Sequence, residues 1–230
     1  MAPKFPPVMP SAGSSVAGRA RRSELLRVAI EVFGERGFAG APIDEIARRV
    51  GIRRPSVLYH FPDKSTLYRA AISRVIEEIT DLVVATEADP GERLEAIADA
   101  WIDFVIDRPL AARLLLRQMI DARPEERMDA PVERLLVSMQ SAIDDRTPAG
   151  ASKSIDASEF SLILSSTSLV WVAGRNAVED ALGLDTLSPD AIHRHRRTLH
   201  ALIQQLVSAT ELDDPSATPQ DPDSSDRRTP

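Results

Sequence analysis

The 230-residue sequence predicts an all-α protein, with an amino-terminal three-helix unit built around a helix-turn-helix and a larger helical domain behind it. Three observations carry that reading. Apolar residues recur at helical spacing in nearly every segment, glycine, proline and capping residues punctuate the segments, and neither a convincing strand pattern nor an internal repeat is present.

The elements follow in order. Residues 1–18 are rich in Pro, Ser, Gly and Ala without periodicity and read as a disordered arm. A first helix is expected from about Arg21 to Arg36, with Leu26, Ala29, Ile30 and Phe33 facing inward and Gly37 as its stop. From Pro42 to Lys64, PIDEIARRVGIRRPSVLYHFPDK reads as two short helices around a tight turn. Ile43, Ile46, Ala47 and Val50 face the core, Gly51 ends the first helix, and Pro55 fits only the first turn of a second helix that begins at about Arg53 or Arg54. Ile52, Val57 and Phe61 form its inner face, so Arg53, Arg54, Ser56, Tyr59 and His60 are left pointing outward. A short helix whose amino end meets base edges while its partner braces it is what a major-groove reader needs, so DNA is the expected partner.

Beyond the reader, Asp63 caps a long helix to about Ala85. Asp89-Pro90-Gly91 opens a helix through Ile106, and Asp107-Arg108-Pro109 opens one through Ile120. Arg123-Pro124 or Ala130-Pro131 opens another to about Ile143, followed by a loop from Asp144 to Ser154. Two longer helices are expected from Ser158 to Leu182 and from Ser188 to about Leu212, before a disordered tail at 213–230. The Ser158–Leu182 segment is apolar on more than one side, and the last helix carries Leu199, Leu202, Ile203, Leu206 and Val207. Pairing the two helices across a two-fold axis would make a four-helix homodimer interface; the other reading is a buried pair within one chain.

Residues 22 to 69 resemble the amino-terminal domain of the TetR family of bacterial one-component regulators. The resemblance rests on the order of Phe33, Gly37 and Phe38, then Ile46-Ala47, Gly51-Ile52, Tyr59-His60-Phe61, Lys64 and Leu67. It implies an all-helical homodimer with a DNA-binding domain at 19–69 and a ligand-binding and dimerisation domain at 70–212, which binds a double-stranded DNA operator and releases it when a small-molecule effector enters. Three positions depart from the family pattern. Ala41-Pro42 replaces the hydroxyl residue that opens the second helix, so a side-chain cap is missing. Arg53 stands where Ser is common, and Leu58-Tyr59 leaves one phenol where many relatives have two. These irregular caps keep open an alternative, a helical interaction protein that retained the fold without specific DNA binding.

Charge supports the first reading by its distribution. The net formal charge is −7, but residues 19–69 hold eleven Lys and Arg against six Asp and Glu, an excess of five positive charges, leaving −12 elsewhere. One basic end facing phosphates and an acidic remainder turned away suit a DNA binder. Arg54 is the candidate for a bidentate contact to guanine, and Arg53 for a base or a phosphate. Ser56 sits against a groove edge, while Tyr59, His60 and Lys64 serve as positioning contacts to the backbone. Arg19, Arg21 and Arg22 lie where the arm meets the first helix.

Other chemistry finds little support. Cysteine is absent, which excludes disulfides, thiol catalysis and thiolate metal sites. His193, His195 and His200 crowd together at spacings poor for metal ligation, and no phosphate loop, zinc signature or nucleophile elbow is present. No cofactor, no metal and no enzymatic role are expected. No apolar run approaches the roughly 18 to 20 residues needed to span a bilayer, and the proline-broken start is unlike a signal segment, so a cytoplasmic location is expected. In the middle helices Trp101, Phe104, Met119, Met139, Phe160 and Trp171 are the candidates for lining an effector pocket, against the plain alternative of core packing.

Overall fold

The structure is a computed structural model that describes residues 16–121, 129–145 and 156–212. Within them lie ten helices and no strand: α1 (Val16–Gly40), α2 (Ile43–Val50), α3 (Arg54–His60), α4 (Lys64–Ala85), α5 (Arg93–Asp107), α6 (Pro109–Asp121), α7 (Asp129–Asp144), α8 (Ala157–Ala173), α9 (Arg175–Leu182) and α10 (Pro189–Leu212). The arm up to residue 15, the tail at 213–230, most of the loop expected after Asp144 and the Arg123-Pro124 helix start lie outside the described residues.

The punctuation residues act much as their chemistry requires. Gly51 adopts the left-handed conformation at φ 73° and closes α2; its own N–H reaches the Arg48 carbonyl at 3.2 Å while that of Ile52 reaches Ala47 at 2.9 Å. That pair of bonds satisfies carbonyls that the helix end would otherwise leave open. Asp63 caps α4 by accepting from the Thr66 N–H at 2.7 Å, which also holds its carboxyl below the usual range. Ser188 Oγ accepts from the Ala191 N–H at 3.4 Å at the head of α10. Pro42 occupies the cap position of α2 without a side-chain bond, and Asp44 and Glu45 in the first turn complement the helix dipole instead.

Two boundaries differ from expectation. Helix α1 begins at Val16 rather than near Arg21, because the alanines and arginines of 16–22 are good helix formers, so residues 16–18 belong to the helix and not to the arm. The helix expected from Ser158 to Leu182 is broken at Gly174, whose N–H bonds to the Val170 carbonyl at 3.0 Å as α9 sets off in a new direction. A Cβ at Gly174 would meet that carbonyl oxygen at 2.6 Å, so the bend depends on glycine.

One continuous apolar core runs from Leu25 in α1 to Ile203 in α10. Helix α1 packs against α2, α4 and α6; α8 lies across α5, α6 and α7; α10 docks on α5. The α1–α6 approach is the tightest, since a Cβ on Gly34 would fall 2.2 Å from the Leu110 carbonyl oxygen. The α10–α5 seam is polar at its edge: Arg196 reaches the Asp99 side chain at 3.0 Å and pairs with Asp103, while His200 Nε2 lies 3.1 Å from Asp99.

Candidate nucleic-acid interface and effector cavity

The reader is positioned by its dry core. Phe33 is fully buried, with the Tyr68 ring edge-on at 5.0 Å and Phe38 at 6.4 Å, so α1 and α4 are locked together behind the turn. Val57 and Phe61 anchor α3 from within. Arg22 in α1 lies over the Phe61 ring at 4.8 Å and ties the end of α3 to the first helix, a contact that no spacing rule in the sequence indicates. Arg49 bonds to Glu35 in α1 at 2.7 Å and to Glu45 in its own helix at 2.9 Å, clamping α2. Five of the eleven basic residues, Arg27, Arg36, Arg48, Arg49 and Arg54, pair with carboxylates within the domain, and the Glu45 carboxyl is held below its usual range by Arg48 and then Arg49.

The outer side of α3 presents the expected residues. Arg53, as the helix cap, Arg54, Ser56 and Tyr59 are exposed, Tyr59 at 70%, and His60 is half-buried with its ring 5.6 Å from that of Tyr59. Arg54 is not idle, because its Nη1 bonds to Asp44 of α2 at 3.1 Å. Lys64 is set further in: its Nζ donates to the Ala39 carbonyl at 3.2 Å and lies 4.8 Å from the Phe38 ring, and burial lowers its pKa. The structure therefore leaves Arg53, Arg54, Ser56 and Tyr59 exposed on α3 and its cap, with His60 and Lys64 half-buried beside them.

The second feature is a partly open cavity of about 520 Å³ lined by α4, α5, α6, α7 and α8. Trp101, Met119 and Met139 line it, together with a wall that sequence reasoning did not single out: Ile72, Ile76, Ile79 and Val83 of α4, Leu115 of α6 and Leu135 and Leu136 of α7. Helical periodicity marks these residues as inward-facing but does not say whether the space they face is filled. Phe104, Phe160 and Trp171 do not line the cavity, which corrects the expectation for them. Phe104 stacks on the outer side of Trp101 at 5.9 Å under Arg108. Phe160 fills the seam between α8 and α10 with Leu199 and Ile203. Trp171 stacks on His195 at 4.6 Å and donates to the Thr186 carbonyl at 2.9 Å, so it fastens the α8–α10 corner.

Among the described residues no group of His, Asp or Glu is arranged to hold a metal ion, and no helix is long and apolar enough to cross a membrane.

An all-helical body with a helix-turn-helix in its amino-terminal part and an apolar cavity behind it is the arrangement of a DNA-binding transcriptional regulator. Residues 25–71 match the family model described as "Bacterial regulatory proteins, tetR family". The chain is 34% identical over 108 residues to the HTH-type transcriptional activator FasR of Mycolicibacterium smegmatis, a match covering 46% of this chain and 49% of that protein. The chain thus spans about half the length of the curated relatives it matches. A TetR-family transcriptional regulator from Streptomyces coelicolor superimposes with a TM-score of 0.54 at 26% identity, covering 84% of this chain and 98% of the other. AibR, solved in complex with isovaleryl coenzyme A and operator DNA, shares the fold with a TM-score of 0.58 at 17% identity, over 79% of this chain and 97% of that one. Residues 25–71 thus carry the amino-terminal domain of the TetR family of bacterial regulatory proteins. Its relatives are regulators of transcription and not enzymes.

Proposed function

We propose that the protein is a homodimeric, DNA-binding transcriptional repressor that leaves its operator when a small molecule occupies the α4–α8 cavity. The observation that carries this reading is that Arg53, Arg54, Ser56 and Tyr59 stand exposed on α3 and its cap, a helix braced from behind by α2. Arg54 at the amino end reads a guanine edge, Arg53 takes a base or a phosphate, and Tyr59, His60 and Lys64 position the backbone. The unit at 19–69 reads DNA, and the body at 70–212 senses the effector and dimerises. AibR, with its ligand and operator in one complex, supports joining the two roles in one chain.

Dimerisation through α8 and α10 is supported by apolar groups that these helices leave exposed, Val170 at 49% and Leu202 at 43%. Helix α4 spans from the reader to the cavity wall, and α6 does the same by resting on Gly34 of α1 at one end and contributing Leu115 and Met119 at the other. A ligand that favours one arrangement of these helices shifts the spacing of the two α3 helices in the dimer.

The test is to sequence the DNA that the purified full chain retains from its own genome, expecting enrichment of one palindrome that is lost in Arg54→Ala. Retention of no preferred sequence would favour the interaction-protein alternative. Once an effector is in hand, saturating operator DNA should weaken its binding by the factor, typically about 5 to 150-fold, by which it weakens DNA binding.

A further inference from the structure

The cavity's own chemistry restricts what enters it, and this step rests on the effector role proposed above. Its wall is almost wholly aliphatic, and none of the described residues lining it is Asp, Glu, Lys, Arg or His. A charge moved from water into such a space would have no partner and would be strongly disfavoured. The wall is not without polar groups, however. The Trp101 indole N–H, Gln118 Oε1 and Ser161 Oγ are each buried without a hydrogen-bond partner, and Trp101 is only 4% exposed. Such groups remain unpaired at a cost unless something completes them. The indole can only donate, the amide oxygen can only accept and the serine hydroxyl can do either, so a hydroxyl or amide group is able to complete each of them. A shallower groove shares Val132, Leu136 and Ser158 with the cavity and carries Glu133 and Asp156, so the charges beside it are negative. Asp156 stays ionised because it caps α8, where the Ser158 and Glu159 N–H groups hold its carboxyl low.

We infer that the effector is an uncharged, mainly aliphatic molecule bearing one hydroxyl or amide group, which pairs with the buried Trp101 indole or the Gln118 amide, and that carboxylates are rejected. The hydrophobic wall supplies most of the affinity and the single polar group fixes orientation.

The sequence offers a direct probe. The chain has two tryptophans, and Trp171 lies away from the cavity, so the full-length Trp171→Phe variant reports on Trp101 alone. Three ligands of one chain length, decanol, decanoate and decyltrimethylammonium, are titrated below their micelle concentrations by Trp101 fluorescence, with calorimetry on the parent chain, both without DNA. Decanol should bind at least about tenfold more tightly than either ion, given the cost of an unpaired buried charge. Trp101→Phe should weaken decanol by about two- to tenfold, the worth of one hydrogen bond, and Gln118→Leu repeats the test if the first variant does not fold. Decanoate or the ammonium binding as tightly as decanol, no binding of decanol, or decanol binding untouched by both substitutions would each overturn the assignment. DNA retention is read separately, so failure here leaves the DNA-reading proposal standing or falling on its own result.

Discussion

The two ends of the molecule treat buried space in opposite ways. Around the helix-turn-helix the inward side chains are met: Phe33, Ile46, Val57, Leu67 and Phe61 are buried at 2% exposure or less, and aromatic rings close on one another. Around α4, α5, α6, α7 and α8, side chains of the same kind leave about 520 Å³ open and three polar atoms unpaired. A reader must hold Arg53 and Arg54 at fixed spacing, which close packing does well. The ligand-responsive body proposed above needs unfilled volume, and the cavity supplies it. The difference teaches that one continuous apolar core can be closed at one end and open at the other, according to how completely its helices close.

The comparison is broken most severely by removing a ring from the closed end. Phe33→Ala should lower stability by about 3–5 kcal/mol, the range for deleting a fully buried aromatic side chain, whereas Met139→Ala should fall near the lower end of about 2–5 kcal/mol because one side of Met139 already faces open volume. Urea unfolding of both variants checks the ranking, and an equal loss would mean that the cavity end is as tightly packed as the reader.

Next in size is the joint between the ends. Gly34→Ala should cost about 1–3 kcal/mol, because the added methyl meets the Leu110 carbonyl and must push α6 away from α1. It should also change how strongly an effector alters DNA binding. A melting curve and a paired DNA titration read the two effects.

Within the reader, Arg54→Ala should cost roughly 1–3 kcal/mol of DNA affinity per half-site and relax preference at one base position. Lys64→Ala should instead weaken all sequences alike and flatten the salt dependence by about two units of slope in a dimer. Salt titrations on operator and scrambled DNA separate the two. The Lys64 variant also loses its bond to Ala39, so it should melt slightly lower as well.

The smallest effect concerns pH and the body alone. Burial, and then Arg196, hold the His195 imidazole below its ordinary 6.5, with Ser168 Oγ at 3.5 Å and Trp171 stacked on its face. The unfolded chain therefore takes up the proton more readily than the folded one, so the contribution to stability is full above about 6.5 and declines as pH falls below it. Melting temperature should drop between neutral and mildly acidic buffer, and His195→Phe should shrink that drop.

Much of this was legible from local chemistry. Gly51, Asp63, Pro55 and Ser188 announce helix ends through backbone freedom, a carboxylate acceptor, a fixed φ and a hydroxyl cap, each of which acts within a few residues. The exposed face of α3 follows from the same logic, since fixing Val57 and Phe61 inward leaves Arg54, Ser56 and Tyr59 outward. The break at Gly174 was missed because the apolar pattern runs straight through it. Phe104, Phe160 and Trp171 were misplaced because an inward aromatic looks the same in sequence whether it faces a void, a neighbouring ring or a carbonyl.

The sequence by itself determined the helices, their caps, the helix-turn-helix and the polarity of its outer face, because those depend on interactions a few residues apart. Only the tertiary structure decided that α6 rests on Gly34, that Asp44 holds Arg54, and that α4 to α8 stand off from one another around Trp101. Those outcomes depend on how surfaces far apart in the chain meet, and periodicity gives the direction of a side chain without the distance to what lies opposite.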